Sequence, residues 1–187
     1  MKAVKQKAFE KNKWFTVEFI NVALKNISEQ FLNRDKLENW VKYYHLDDNV
    51  KPKKVGIVMA GNIPLVGFHD FLGVFISGHK QSIKLSEKDN ILLTYIIEKL
   101  IGWNSEVATV VEVVGLLKNC DAYVATGNNN SARYFNYYFG KYPSVWRKNK
   151  TSIAILTGEK TIEKRNVPAS DVKIFFGLGW RKVTKFM

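Results

Sequence analysis

Hydrophobic residues recur at three- and four-residue intervals in the first quarter of the chain, which is the spacing of an amphipathic helix. One helix is predicted to follow Thr16 as its N-cap, and a second to begin at Asp35, with Glu38 three positions on as in a capping box. The apolar positions of the two helices are Phe19, Val22, Ala23, Ile27 and Phe31, then Leu37, Trp40, Val41 and Tyr44. Residues 1–50 are therefore predicted to form a helical arm, and the polar segment 46–54, which contains Pro52, a linker.

Beyond this linker the pattern changes to short apolar runs that alternate with amphipathic stretches. The apolar runs predict strands over residues 55–60, 81–85, 109–114, 122–126, 144–147 and 152–156. The amphipathic stretches predict helices over residues 65–76, 89–101 and 129–139. This alternation is typical of an α/β fold with a mostly parallel, Rossmann-like sheet and helices on both faces. Sheets of this kind bind ligands beyond the carboxyl ends of their strands.

Charge is the most unusual feature of the composition, with 29 Lys and Arg against 17 Asp and Glu and a net charge of +12. The basic residues are scattered, and short groups such as 51–54 and 147–150 lie at strand ends, where solvated termini are expected. A nucleic-acid binder is therefore disfavoured, although a salt-dependent affinity for DNA or RNA would support it. A basic surface also suits small polyanions such as a dinucleotide or coenzyme A.

The cysteine count and the hydropathy pattern limit the remaining classes of protein. Cys120 is the only cysteine and has no partner for an internal disulfide, and no Cys/His cluster has the spacing of zinc ligands. No apolar stretch is long enough for a membrane span, and the basic start is not followed by a signal-peptide pattern. The sequence therefore predicts a cytoplasmic protein without a structural metal.

Two predicted strand-to-helix turns are candidate sites for anionic groups. The first contains Gly61, Asn62 and Pro64, with Pro64 expected in the first turn of the helix. The second contains Gly127 and Asn128. Backbone N–H groups at such turns can bind anions, but the same residues also occur in ordinary turns, and the glycine-rich GxGxxG fingerprint is absent.

Several segments resemble one known family in order along nearly the whole chain. They are residues 61–71 (GNIPLVGFHDF), 77–80 (SGHK), 84–87 (KLSE), 125–135 (ATGNNNSARYF), 138–143 (YFGKYP), 147–158 (RKNKTSIAILTG) and 176–179 (FGLG). Together they resemble the acyl-CoA reductases of the LuxC type, which are members of the aldehyde dehydrogenase superfamily. The resemblance implies an aldehyde dehydrogenase-like cofactor domain over residues 51–172, with residues 173–187 as the start of a catalytic domain that the chain does not contain.

The resemblance also implies roles for individual residues. Asn62 matches the asparagine whose side-chain amide stabilises the oxyanion formed at the substrate carbonyl. The implied cofactor-binding residues are Gly61, Lys84, Ser86, Glu87, Thr126, Gly127 and Asn128. Among these, Lys84 and Glu87 match the pair that contacts the adenosine ribose, and Gly127 and Asn128 match the turn beside the pyrophosphate. Glu87 should repel a 2′-phosphate and therefore favour NADH. The family, however, is associated with NADPH, and Lys88 offsets that repulsion, so the choice between NADH and NADPH is left open.

The chain departs from the family at the residue that performs the chemistry. In the family a cysteine after the Gly-Leu-Gly turn attacks the thioester and holds the acyl group, but here that position is Trp180, which cannot act as a nucleophile. The aldehyde dehydrogenase Glu-Leu-Gly-Gly-Lys element is also missing, because the matching residues 146–150 are WRKNK. Cys120 has no activating helix start beside it and is expected to be a buried core residue. His69 is expected to make a structural hydrogen bond in preference to binding a ligand.

The family reaction is the NAD(P)H-dependent reduction of a fatty acyl-CoA to the aldehyde through a cysteine thioester. This chain is expected to be a member that lacks the nucleophile and does not catalyse that reaction by itself. The alternative is a catalytically inert module that binds a dinucleotide or another chain. Acyl-CoA is the expected substrate of the full-length family, and self-association into a homo-oligomer is expected where apolar surface is left uncovered.

Overall fold

A computed structural model of the chain describes residues 1–44, 46, 51–148, 150–154 and 181–186. The helices are α1 (Lys2–Lys11), α2 (Val17–Gln30), α3 (Arg34–Tyr43), α4 (Phe68–Ile76), α5 (Ile91–Trp103), α6 (Val107–Val110) and α7 (Asn129–Phe139). The strands are β1 (Lys54–Val58), β2 (Lys80–Lys84), β3 (Val111–Val113), β4 (Ala122–Thr126), β5 (Ser144–Arg147), β6 (Lys150–Ala154) and β7 (Arg181–Phe186).

Five strands form one sheet in the order β3-β2-β1-β4-β5, and every neighbouring pair in it is parallel. The predicted parallel α/β sheet is therefore confirmed. Strand β1 is central, with Val58 opposite Lys84 of β2 on one side and opposite Ala125 of β4 on the other. The chain builds outward from β1 through β2 to β3 and then crosses to β4 on the other side. β6 and β7 form a separate parallel pair.

Helices cover both faces of this sheet. Val55 and Ile57 of β1 belong to the larger core cluster, which contains Phe71 of α4 and Leu92 of α5. Val58 packs against a second cluster on the opposite face. This second cluster centres on Leu117, Cys120 and Tyr123, with Phe139 of α7 and Trp146 of β5 packed against it. Since successive residues of a strand point to opposite faces, α4 and α5 lie on one face and α7 on the other.

The N-terminal helices share the larger cluster with the sheet. Ala8, Phe15, Ile20 and Ile27 are buried in it together with the sheet residues. Thr16 caps α2 as predicted, because its hydroxyl accepts the N–H of Phe19 at 3.3 Å. The predicted start of α3 at Asp35 is wrong by one residue, because the Asn33 side chain accepts the N–H of Lys36 and is the N-cap. The division of the chain into domains near residues 50 and 172 stays a prediction.

Two other predicted elements need correction. The strand predicted over residues 109–114 is shorter, since its first residues belong to α6 and only Val111–Val113 pair with β2. β-Branched residues fill this stretch, and their spacing does not separate a helical turn from a strand. The helix predicted over residues 65–76 begins at Phe68, so Pro64 is outside it, because Leu65 has a positive φ of 57° and interrupts the helical backbone.

Within the described ranges, no helix has the length and apolar character that crossing a membrane requires. The strand predicted over 152–156 begins two residues earlier, as β6 (Lys150–Ala154), and residues 155 and 156 lie outside the described ones.

Replacement of Phe15 by Ala tests whether the N-terminal helices and the sheet share one core. Phe15 is 1% exposed, so its truncation should reduce the free energy of unfolding by roughly 3–5 kcal/mol, as measured by urea denaturation. The matched control is Tyr43→Ala, an aromatic side chain that is 77% exposed, for which less than about 1 kcal/mol is expected. Equal losses in the two variants would contradict a shared core.

Candidate functional site

The loops that follow the parallel strands meet at one edge of the sheet. Strand order reverses between β1 and β4, which are neighbours although the chain passes through β2 and β3 between them. The carboxyl edge at such a reversal is where open α/β sheets form a crevice for ligands. Gly61 and Asn62 follow β1, whereas Thr126 is the last residue of β4 and Gly127 follows it. Residues from both predicted turns therefore lie at this reversal.

The loop after β1 is packed tightly against the loop after β2. Gly61 is buried, and a Cβ atom at this position would collide with Ser86 and lie 3.1 Å from Cβ of Lys88. The backbone N–H of Met59 donates to the carbonyl of Lys84 at 3.0 Å. The predicted residues Gly61, Lys84 and Ser86 are thus neighbours. The Lys84 and Glu87 side chains are exposed at this edge.

Asp89 holds the turn between β1 and α4 in its unusual conformation. Its Oδ2 accepts the N–H of Leu65 at 2.7 Å, and Leu65 is the residue with positive φ. The carboxyl group is buried, and its Oδ1 has no hydrogen-bond partner among the residues that the structure describes. Burial raises the pKa of Asp89 to about 7, although the hydrogen bond from Leu65 opposes this effect. The sequence predicted Asp89 as the first residue of α5, but that helix begins at Ile91.

The second predicted turn begins α7. Asn128 is the N-cap, since its Oδ1 accepts the N–H of Ser131 at 2.8 Å. Gly127 is buried, and a Cβ there would lie 2.9 Å from Cβ of Ser131 and 3.0 Å from the Phe135 ring. Its N–H donates to the carbonyl of Arg147 at 3.1 Å, which connects the turn to the end of β5. Gly127 is therefore required for close packing of α7 on the sheet.

A charged cluster that the sequence did not predict lies beside this turn. Asp70 of α4 has a side chain only 4% exposed, and it accepts Nε of Arg147 at 2.8 Å and the hydroxyl of Thr126 at 3.0 Å. His69 Nδ1 lies 3.3 Å from a terminal nitrogen of Arg147 and 3.7 Å from Oδ1 of Asp70. The side chains of Asp70, His69, Thr126 and Arg147 thus form one cluster at this edge of the sheet.

The pKa of Asp70 is shifted in the opposite direction to that of Asp89. Burial raises the pKa of Asp70, but His69, the charge of Arg147 and the hydroxyl of Thr126 lower it. Their combined effect is larger than that of burial, so the pKa lies below the usual range. Arg147 has the shortest contact among these groups, whereas the His69 distance is too long for a strong hydrogen bond. Asp70 is therefore an ionised, buried partner of Arg147.

Arg147 is the exposed last residue of β5, as predicted for a solvated strand end, but its ion pair with a buried carboxylate was not predicted. The side chain is 47% exposed and paired with a buried carboxylate. The sequence gives only a weak indication of this ion pair. Asp70 is the one acidic residue in the mostly apolar stretch of α4, and its partner Arg147 is 77 positions away.

Cys120 is buried as predicted and lies outside this edge. It is 4% exposed and precedes β4, so it lies at the amino edge of the sheet, opposite the loops described above. Burial raises the pKa of its thiol, whereas the charge of Lys54 lowers it less. Trp180, for which the resemblance implies the position of a nucleophile, lies outside the described residues.

Comparison with models of known protein families gives no match, and a search of curated protein sequences gives none. Across the part of the chain that the structure covers, no group of three or more His, Cys, Asp or Glu side chains has the geometry of a metal site.

Ionisation of Asp89 should make stability depend on pH. Its folded pKa of about 7 lies above the ordinary 3.8, so the stabilising protonated form is fully present below about pH 4, and its contribution is lost as the pH rises through 7. Asp89→Asn cannot ionise and still accepts the Leu65 N–H. The free energy of unfolding of the variant, measured by urea denaturation, should therefore increase relative to that of the unmutated protein. The expected increase is roughly 1.4 kcal/mol per pH unit between about pH 4 and pH 7.

The matched control for Asp89→Asn is Glu87→Gln, which removes an exposed carboxylate from the same loop. If both variants showed the same pH dependence, or if Asp89→Asn showed none, the effect would not belong to the buried carboxyl of Asp89.

Proposed function

We propose that this chain binds a nicotinamide dinucleotide across the carboxyl edge of the five-stranded sheet, as a relative of the acyl-CoA reductases of the LuxC type. One observation supports this most. Four of the segments that carry the family resemblance, 61–71, 84–87, 125–135 and 147–158, have described residues in the loops at the carboxyl edge of the sheet, around the point where strand order reverses, whereas 77–80 and 138–143 lie at the amino ends of β2 and β5. A nucleotide that lies across this edge contacts the loops after β1, β2 and β4 together.

The end of β2 supplies the groups for the adenosine ribose. Lys84 and Glu87 are both exposed there, and an ammonium donor with a carboxylate acceptor matches the two hydroxyl groups of a ribose. The contact between Gly61 and Ser86 fixes the two loops against each other, so that the backbone beneath the ribose does not need to be ordered on binding. NADH and NADPH are both candidates, and Glu87 favours NADH.

The start of α7 supplies the groups for the pyrophosphate. Asn128 uses its side chain to cap Ser131, so the remaining N–H groups of the first turn and the positive end of the helix dipole face outward beyond Gly127. Gly127 contributes by letting this turn pack closely on Ser131 and Phe135, which fixes the start of α7 at the end of β4. The net charge of +12 adds a favourable long-range field for a polyanionic ligand.

Reduction of the acyl-CoA belongs to the family and not to this chain alone. In the family the cofactor supplies hydride to an acyl-cysteine thioester, and the side-chain amide of Asn62 would here donate to the carbonyl oxygen as charge develops on it. Trp180 stands at the nucleophile position, and the single thiol of the chain, Cys120, is buried at the opposite edge with a raised pKa.

These observations on Trp180 and Cys120 favour the second candidate for this chain, a module that binds nucleotide without turnover. Acyl-CoA as the family substrate, a cytoplasmic location and self-association are further parts of the proposal.

Calorimetric titration with NADH and NADPH tests the proposal directly. Lys84→Ala should weaken the binding of both nucleotides about tenfold, because it removes a charged hydrogen bond to the ribose. Lys80→Ala is the matched control, since Lys80 is an exposed lysine at the amino end of the same strand, and its affinity should stay within about twofold. Failure of a folded chain to bind either nucleotide would overturn the proposal.

Glu87→Gln tests the choice between the two cofactors. Removal of the carboxylate should raise the affinity for NADPH relative to NADH, because repulsion of the 2′-phosphate is lost. The ratio of the two dissociation constants is the measured quantity, and an unchanged ratio would exclude Glu87 from the ribose site.

A further inference from the structure

Arg147 presents its guanidinium group at the carboxyl edge in a fixed orientation. Thr126 and Arg147 are neighbours in register on β4 and β5, and both side chains reach the same carboxylate, Asp70 of α4. The guanidinium therefore lies on the α4 face of the sheet at the end of β5. The carbonyl of Arg147 accepts the N–H of Gly127, so this residue is directly joined to the turn that begins α7.

The contacts of Arg147 leave much of its hydrogen-bonding capacity available. A guanidinium has five N–H donors. Nε donates to Asp70, and a terminal nitrogen lies 3.3 Å from His69 Nδ1, to which it can donate when that ring nitrogen carries no proton. Contacts with the described residues thus use at most two of the five donors. The side chain is 47% exposed, so the remaining donors can be reached from solvent.

The surroundings of Arg147 favour an anionic ligand. No Asp or Glu occurs in the sequence between Asp121 and Glu159, a stretch that includes β4, α7 and β5, and the exposed Lys148 follows Arg147 directly. The nearby carboxylate of Asp70 is buried and already neutralised by Arg147. An arginine held at Nε by a carboxylate presents its terminal nitrogens in a plane, which is the geometry for bidentate binding of phosphate oxygens.

The cost of the ion pair points to a role beyond stability. Burial of a carboxylate carries a desolvation penalty that a single ion pair often fails to offset, so such pairs are weak evidence for stabilisation. Asp70 has two described hydrogen-bond donors, and both come from the last residues of strands at the candidate site. A carboxylate placed in this way restricts the rotamers of Arg147 before a ligand arrives.

We infer that Arg147 binds the diphosphate diester of a bound nucleotide and that Asp70 is the positioning residue that orients it. This inference rests on the proposed function. The diphosphate diester occurs both in nicotinamide dinucleotides and in coenzyme A, so the shared group defines the site and separate titrations distinguish its two sources.

The test is calorimetric titration of the whole chain with NADH, coenzyme A, ADP and adenosine. Arg147→Ala should weaken the binding of ADP and of the physiological nucleotide at least tenfold, while the affinity for adenosine, which has no phosphate, stays within about twofold. Lys148→Ala is the matched control, because it removes an adjacent exposed positive charge, and all four affinities should change by less than about threefold. The ligand among NADH and coenzyme A whose affinity falls identifies the source of the diphosphate.

Two further variants keep the test independent of folding. Arg147→Lys retains a positive charge beside Asp70 but loses the planar fork, so it should fold and still lose most of the ADP affinity. Asp70→Asn retains an acceptor for Thr126 and leaves Arg147 unoriented. It should weaken ADP binding by a smaller factor than Arg147→Ala does, and the double variant should bind ADP no more weakly than Arg147→Ala.

The outcomes separate this inference from the proposed function. If the unmutated chain binds none of the four ligands, both are overturned. If the unmutated chain binds NADH or coenzyme A, and Arg147→Lys and Arg147→Ala both bind ADP as tightly as the unmutated chain does, only the role of Arg147 is overturned. Equal loss of ADP and adenosine affinity in both variants would also overturn it, because a structural role is then sufficient.

Discussion

Strand β1 is buried on both faces and pairs in parallel on both sides, and the rest of the fold is arranged around it. Val55 and Ile57 face the cluster that contains α4 and α5. On the other face the Tyr123 ring and Cys120 lie so close to Gly56 that a Cβ atom would meet the ring at 2.8 Å. A side chain at this position would push β4 away from β1 and separate the loops that form the candidate site. The position of the site therefore depends on close packing at the centre of the sheet.

Much of this architecture was predictable from local patterns. β4, α7 and β5 were predicted with the observed bounds, because a short apolar run, a capping Asn128 and a glycine turn all indicate the same boundaries. Errors arose where a distant residue overrides the local pattern. The local sequence predicts that a helix begins at Pro64 and Leu65. The buried carboxyl of Asp89 instead binds the Leu65 N–H and stabilises a left-handed conformation there. One sequence does not reveal that contact.

In the candidate site, too, some features were predictable from local sequence and others depend on distant residues. The glycine turns and the polar residues at strand ends were predictable, since parallel strands bring their carboxyl ends together. The pairing of Asp70 with Arg147 was not, because it depends on α4 packing over β4 and β5 and joins residues 77 positions apart. Charge patterning read along the chain treats Arg147 as one of several solvated basic residues. Both Arg147 and Lys148 are exposed, and only the tertiary structure shows that Arg147 is paired with a buried carboxylate.

The two buried carboxyl groups at this edge have opposite pKa shifts, yet neither presents a full negative charge to an anionic ligand. Asp70 faces a guanidinium and is ionised, so the pair has no net charge and the exposed side of Arg147 remains attractive to phosphate. Asp89 has only a backbone N–H as a described partner, and with a pKa of about 7 it is uncharged in about half of the molecules at neutral pH. Both arrangements reduce negative charge at the edge where a polyanion would bind. Asp89 has a structural role, because it holds Leu65 in its left-handed conformation, whereas apolar side chains in place of Asp70 and Arg147 would avoid the desolvation cost of the buried pair. Under the proposed function, the position of Asp70 is accounted for by the orientation that it imposes on Arg147.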